Sequence, residues 1–128
     1  MTNRYLLDSS AWIEYFRGTT LGKRVKEILE HDDIATCMLS IAEIADKFSR
    51  EKESFETFLQ FIKNASTILP LTFDVCARAG TLKAERRTAK KEFGLADALI
   101  YLTAQEHTRI LVTKDDDFSG IERVVILD

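Results

Sequence analysis

Tyr5-Leu6-Leu7-Asp8-Ser9-Ser10-Ala11-Trp12-Ile13-Glu14-Tyr15-Phe16 is the stretch whose reading decides the fold. Tyr5-Leu6-Leu7 reads as a short buried strand, and Asp8 ends it. Ser9 or Ser10 can then cap a helix running near 10–17. Strand, acid, helix is the first half of a βα unit, and the rest of the chain repeats that alternation. Strands are expected near 4–7, 34–38, 67–71, 110–113 and 123–126. Helices are expected near 10–17, 21–30, 40–50, 54–65, 74–91 and 95–107, with a short helical turn around 116–119.

Connections between these segments are short, so residues 1–128 are read as a single α/β domain. A chain of 128 residues buries enough surface to hold one fold without disulfides or structural metal. Its 45% hydrophobic and 30% charged residues leave no room for a long disordered tail. Cys37 and Cys76, the two cysteines, both lie in apolar runs and read as reduced, which suits the cytoplasm. The first residues lack the basic and apolar regions of a signal peptide, and no apolar stretch reaches membrane-spanning length.

Periodicity assigns faces to the helices. Ile41, Ile44, Ala45 and Phe48 recur at core-facing spacing, with Glu43 beside that stripe. Phe55, Phe58, Leu59 and Ile62 repeat it, and Phe61 widens the face. Helix 95–107 is apolar almost all round, which predicts burial on several sides.

In a parallel sheet all strands end at one edge, and ligands bind there. Asp8 follows the first strand at that edge, Glu43 starts the helix after the second, and Asp115 and Asp117 follow the fourth. The helix of Asp97 precedes the fourth strand and runs antiparallel to it, so its first turn returns to the same edge. These acids from four separate segments therefore converge. Two unit charges about 4 Å apart at an effective dielectric of ~20 interact by roughly 4 kcal/mol. Such a cluster must take up protons or bind a hard divalent cation. Zinc has no suitable Cys and His spacing, which leaves Mg2+ or Mn2+.

Each acid also has a structural reading. Ser40 and Glu43 match a capping box, Asp97 suits a helix dipole, and Asp115-Asp116-Asp117 suits an acidic turn. Asp74, at another strand-to-helix junction, reads as a plain N-cap outside the cluster. His31 and His107 lie away from the acids, as surface or capping residues. A phosphoacceptor signalling domain would need an Asp after a central strand, where the second and third strands offer none. A haloacid-dehalogenase phosphatase would need an Asp at position 10, where Ser10 stands.

Taken in order, Asp8-Ser-Ser-Ala-Trp-Ile-Glu, Ser40-Ile-Ala-Glu43, Asp97-Ala-Leu-Ile and Thr113-Lys-Asp115-Asp-Asp117-Phe118 resemble a PIN domain over nearly the whole chain. The length resembles that of VapC-type toxins of prokaryotic toxin and antitoxin pairs. The resemblance implies a three-layer α/β/α sandwich with a parallel five-stranded sheet in the order 3-2-1-4-5. It matches Asp8, Glu43, Asp97 and Asp115 to the family's metal-holding quartet, and Asp117 to a more variable acid. Where many relatives have Thr-Asn, this chain has Ser9-Ser10, so a polar contact beside the metal differs. It further implies an RNA substrate, a homodimer and a cognate VapB-like antitoxin that blocks the site.

The expected reaction is hydrolysis of an RNA phosphodiester with Mg2+ or Mn2+. Asp8, Asp97 and Asp115 hold the ion, Glu43 holds or deprotonates a water, and Asp117 completes a second, weaker position. Lys83, Arg86, Arg87, Lys90 and Lys91 recur at helical spacing as one basic stripe. That stripe is either an RNA-backbone contact on a chain of net charge −3 or a solvated face. Trp12, Tyr15 and Phe16, with the wide face of helix 54–65, form core or a groove for a partner's amphipathic segment. The competing function is a catalytically silent PIN-like module that binds RNA or protein, against which all four quartet positions remain acidic.

Overall fold

The computed structural model describes residues 2–128. Five strands, β1 (Arg4–Leu7), β2 (Asp33–Cys37), β3 (Thr67–Leu69), β4 (Ile110–Thr113) and β5 (Val124–Ile126), form one parallel sheet in the order β3-β2-β1-β4-β5. Six helices intervene: α1 (Ser9–Phe16), α2 (Thr20–His31), α3 (Met38–Arg50), α4 (Glu56–Ala65), α5 (Phe73–Arg86) and α6 (Leu95–Glu106). A single 3-10 turn, Asp116–Phe118, precedes β5.

Alternation along the strands divides the core in two, because successive side chains leave opposite faces of a sheet. Leu7, Ile34 and Val112 pack with α1 to α4 through Trp12, Val25, Ile44, Phe48 and Ile62. Leu6, Ala35 and Leu111 pack with α5 and α6 through Val75, Ala79, Ala98, Ile100 and Leu102. The result is the expected three-layer sandwich. As predicted, α6 is buried on several sides, with Ala98 and Ile100–Ala104 all buried. No helix of the described residues is long and apolar enough to cross a membrane.

Trp12 belongs to the core rather than to an open groove. Its ring is fully buried, stacks on Phe16 at 5.6 Å and meets Phe61 edge-on at 6.2 Å. Its indole Nε1 donates to Thr36 Oγ1 at 3.1 Å. Thr36 in turn lies 2.8 Å from Ser66 Oγ, and Ser66 donates to the Ile62 carbonyl. This chain of hydroxyls ties α1, β2 and α4 together. Gly22 permits the close approach of α2 to α1: a methyl group there would overlap the Glu14 carbonyl.

At the amino edge of the sheet, buried Arg109 donates to the Tyr5 carbonyl at 3.1 Å and to Asp33 Oδ1 at 2.9 Å, stapling β1 to β2.

Several local expectations are corrected. Helix α5 ends at Arg86 instead of running to 91, with Arg87 as its C-cap. The Thr88 hydroxyl donates to the Glu85 carbonyl at 2.8 Å, and hydroxyl back-bonding of this kind competes with helix propagation. Lys90 and Lys91 therefore lie beyond the helix, and the five basic residues are not one helical stripe. Helix α3 begins at Met38 with Cys37 as N-cap, because β2 runs into it without a loop; Ser40 lies inside the helix, so no Ser40–Glu43 capping box forms. Thr72, not Asp74, caps α5 by accepting the Val75 amide at 3.2 Å. Asp74 pairs instead with Arg78 one turn on. Cys37 is buried as expected, whereas Cys76 is exposed. His31 ends α2 at the surface and His107 caps α6.

Candidate active site at the carboxyl edge of the sheet

Register builds the site first. Leu7 pairs with Val112, so the next residues, Asp8 and Thr113, stand side by side where both strands end. Asp8 is 6% exposed and is itself the N-cap of α1: its Oδ1 accepts the Ser9 amide at 2.7 Å. Neither serine caps the helix. Oδ2 of Asp8 accepts from Thr113 Oγ1 at 2.8 Å and, more weakly, from Ser10 Oγ at 3.3 Å. Burial drives the Asp8 carboxyl upward despite these hydrogen bonds, and Asp115 adds to the rise.

Glu43 reaches the same place from α3. Its Oε1 accepts from Ser9 Oγ at 3.2 Å, while Ser9 Oγ lies 3.4 Å from Asp8 Oδ1. One hydroxyl proton cannot satisfy both carboxylates at once, so Ser9 bridges two acids that repel each other. Burial raises the Glu43 carboxyl to about 7, helped by the charges of Asp8 and Asp97.

Asp97 occupies the first turn of α6, where its Oδ2 accepts the Gly94 amide at 2.8 Å. The helix-start role foreseen for it is real, and it fixes the carboxylate against the cluster. Burial pushes Asp97 up to about 6, against the Gly94 hydrogen bond and with the charges of Asp115, Asp8 and Asp117. Asp115 caps the 3-10 turn by accepting the Asp117 amide at 2.9 Å, as its acidic-turn reading anticipated. Asp117 is also raised, by burial first and then by Asp115 and Asp116.

All five candidate acids thus come to one edge. Carboxylate oxygens of Asp97, Asp115 and Asp117 lie within 4.8 Å of one another. Asp8 and Glu43 stand behind them, joined through Ser9. Every resolved shift in the cluster is upward, the signature of anions gathered without a compensating charge. Two cations adjoining the cluster are engaged elsewhere, Lys114 with Glu14 at 3.4 Å and Arg86 with main-chain carbonyls. An all-oxygen donor set of this kind suits a hard divalent cation.

The sequence assigned no role to Thr113, and it offered Ser10 only as a helix cap or as part of a polar contact beside the metal. Thr113 Oγ1 donates to Asp8 and accepts the Asp115 amide at 3.1 Å. Ser10 Oγ accepts the Lys114 amide at 3.0 Å. Their available signal was position alone, a hydroxyl residue at a strand end one or two places from an acid.

Arg86 also differs from its expected part. Its Nη2 donates to the Asp117 carbonyl at 2.8 Å and to the Ser119 carbonyl, and its guanidinium lies 5.8 Å from the centre of the Phe93 ring. It therefore anchors the turn that carries Asp115 and Asp117. Lys83 and Lys90 are half-buried, Arg87 and Lys91 exposed, and Arg87 Nε donates to the Lys91 carbonyl at 2.9 Å.

Comparison with known proteins agrees with this geometry. The PIN domain family model matches residues 5–124. A VapC ribonuclease of Mycobacterium bovis is 31% identical over 128 residues, covering 95% of this chain and 94% of the relative. Ribonuclease VapC11 of Mycobacterium tuberculosis matches to the same extent. Among solved structures, a toxin-antitoxin complex from Klebsiella pneumoniae superposes with a TM-score of 0.76 at 25% identity, covering 97% of this chain and 98% of the other. VapBC2 from Rickettsia felis, bound to a promoter DNA fragment, superposes with a TM-score of 0.74 at 19% identity over 96% of each chain, a likeness of fold.

Proposed function

Since this chain belongs to the PIN-domain family, we propose that it is a metal-dependent endoribonuclease, with Mg2+ or Mn2+ at the acidic cluster, and the toxin of a VapBC-type pair. The observation that carries this reading is the convergence of Asp8, Glu43, Asp97, Asp115 and Asp117, with three of their carboxylates within 4.8 Å. Relatives named as ribonucleases, matching along 95% of the chain, support RNA as the substrate.

Asp97, Asp115 and Asp117 are the residues that would hold a divalent cation, with Asp8 beside them. When bound, such an ion supplies charge neutralisation at the phosphodiester and lowers the pKa of an attacking water. The chain's own residues do the rest. The Gly94 amide and the Asp117 amide fix the Asp97 and Asp115 carboxylates, so neither must be ordered when substrate arrives. Thr113 and Ser10 hold Asp8 in a single orientation. Glu43, joined to Asp8 through the Ser9 hydroxyl, is placed to take and return a proton beside the ion.

A single PIN domain spanning 1–128, a cytoplasmic location, a homodimeric state and a VapB-like antitoxin partner go with this role. The structural neighbours that are toxin-antitoxin complexes support the partner. The test is cleavage of a panel of structured RNAs. Cleavage is expected in Mg2+ or Mn2+, and is expected to vanish on chelation and in Asp8→Asn and Asp97→Asn. RNA bound but left intact in both metals would make the chain a silent binding module instead.

A further inference from the structure

Beside the acids, between α1 and α3, lies a cavity of about 280 Å3 lined by Ser9, Ser10, Glu14, Arg17, Lys47 and Lys114 among others. We propose that this cavity is a subsite for an RNA backbone phosphate adjoining the one that is cleaved; this rests on the nuclease reading above. Its inner wall is the wall of the acidic cluster. Ser9 Oγ is 3.2 Å from Glu43 Oε1, and Ser10 Oγ is 3.3 Å from Asp8 Oδ2.

This lining holds Arg17, Lys47 and Lys114, whose acidic partners are Glu14, Glu51 and Glu53, on a chain whose net charge is −3. A polyanionic strand brought to a centre of five acids needs positive charge immediately beside it. Two candidate sources adjoin the cluster. In the basic run 83–91, Arg86 is committed to the Asp117 and Ser119 carbonyls. The α1–α3 cavity keeps its cations at the surface. Lys47 pairs with Glu51 at 3.2 Å, Lys114 with Glu14 at 3.4 Å, and Arg17 with Glu51 and Glu53.

The Lys47 and Arg17 pairs are exposed on both sides, and such pairs are weak and exchange partners readily. Lys114 is itself exposed, although its partner Glu14 is largely buried, so a phosphate can recruit all three cations. Arg17 is also aimed by packing: its guanidinium lies 5.5 Å from the centre of the Phe48 ring. Its charge is therefore held at the cavity mouth. An acidic peptide is the competing occupant, but a strand engaged at the acids already delivers its next phosphate to this place.

The test is binding of a fluorescent single-stranded oligoribonucleotide in Ca2+, followed by anisotropy across a salt series, with cleavage in Mg2+ and Mn2+ measured alongside. The Lys47→Gln, Lys114→Gln double variant is expected to bind at least about tenfold more weakly, with a salt slope shallower by roughly 1 to 1.5. Lys47→Arg, Lys114→Arg should retain binding, which excludes misfolding as the cause. Lys23→Gln, Lys26→Gln on α2 removes the same charge and should change neither affinity nor slope. Wild-type affinity and slope in the glutamine double variant, with cleavage intact, would overturn the subsite and leave the nuclease standing. Binding through Lys47 and Lys114 without cleavage in either metal would do the reverse. A wild-type chain that neither binds nor cleaves RNA overturns both. Displacement of the RNA by pentaglutamate at matched ionic strength would assign the cavity to an acidic peptide and overturn the phosphate assignment.

Discussion

Thr113 Oγ1 donates to Asp8 Oδ2 at 2.8 Å between residues 105 positions apart, and the same oxygen accepts the Asp115 amide. One hydroxyl therefore sets the spacing of two of the acids. Thr113→Val keeps the shape but leaves a buried carboxylate and an amide each short of a partner. Stability should fall by about 1–3 kcal/mol. Mn2+ affinity should fall by about 10-fold or more, as when other groups that orient metal-binding side chains are lost. Thr113→Ser should recover most of both. Urea unfolding and a Mn2+ titration measure the two effects; unchanged Mn2+ affinity in Thr113→Val would remove this positioning role.

Arg86 predicts a contrast within the basic run. Because its guanidinium spans the Asp117 and Ser119 carbonyls, Arg86→Met should destabilise the fold by about 2 kcal/mol, the scale for hydrogen bonds from a charged donor. It should also weaken Mn2+ binding by loosening the 3-10 turn. Arg87→Gln, at an exposed C-cap, should leave both unchanged. An Arg86→Met protein that binds Mn2+ normally, with wild-type stability and poorer RNA affinity, would return Arg86 to the role of an RNA contact.

Stability of the metal-free protein should depend on pH with an unusual sign. Glu43 rises from 4.5 to about 7 and Asp97 from 3.8 to about 6. Between the unfolded and folded values the native state binds more protons than the unfolded state. Their contribution to stability is therefore full below about pH 4 to 4.5 and is lost as pH rises through the folded values toward 7. Saturating Mn2+ should flatten or invert that slope, since it favours the ionised acids. Thermal unfolding at stepped pH, with and without Mn2+, tests this; a metal-free protein whose melting temperature rises steadily from pH 4.5 to 7 would contradict it.

The acids were legible because each is marked locally. Asp8 ends an apolar strand, Asp97 opens an apolar helix, and Asp115 follows a third apolar run, so parallel topology alone sends them to one edge. The Thr113 hydroxyl was not, since the pairing of Leu7 with Val112 joins segments that carry no mark of their mutual register. Helix ends failed for a related reason. Basic residues at 83, 86, 87, 90 and 91 keep helical spacing to the last, yet the helix ends at Arg86, where the Thr88 hydroxyl turns back on the Glu85 carbonyl. Likewise Ser40 and Glu43 fit a capping box in spacing, but β2 passes into α3 at Cys37, which puts Ser40 one turn too deep.

Glu43 offers the sharpest separation of stability from activity. In the metal-free protein its ionised form is opposed by burial and by Asp8 and Asp97. The amide that Glu43→Gln puts in its place is neutral at every pH, and its oxygen could still accept from Ser9. Glu43→Gln should therefore be more stable than wild type by about 1–2 kcal/mol at pH 8, after allowance for solvent screening of a half-buried group. The advantage should shrink as pH falls and vanish near pH 4.5, where the wild-type carboxyl is increasingly protonated in both states. RNA cleavage should be lost, because an amide can neither take nor return a proton. The stability advantage should reverse in Mn2+, where the wild-type charge is compensated. Paired unfolding curves at pH 4.5 and 8, with and without Mn2+, check each arm. A variant less stable than wild type at pH 8 in chelator would show that Glu43 is held by a favourable partner and not strained against its neighbours.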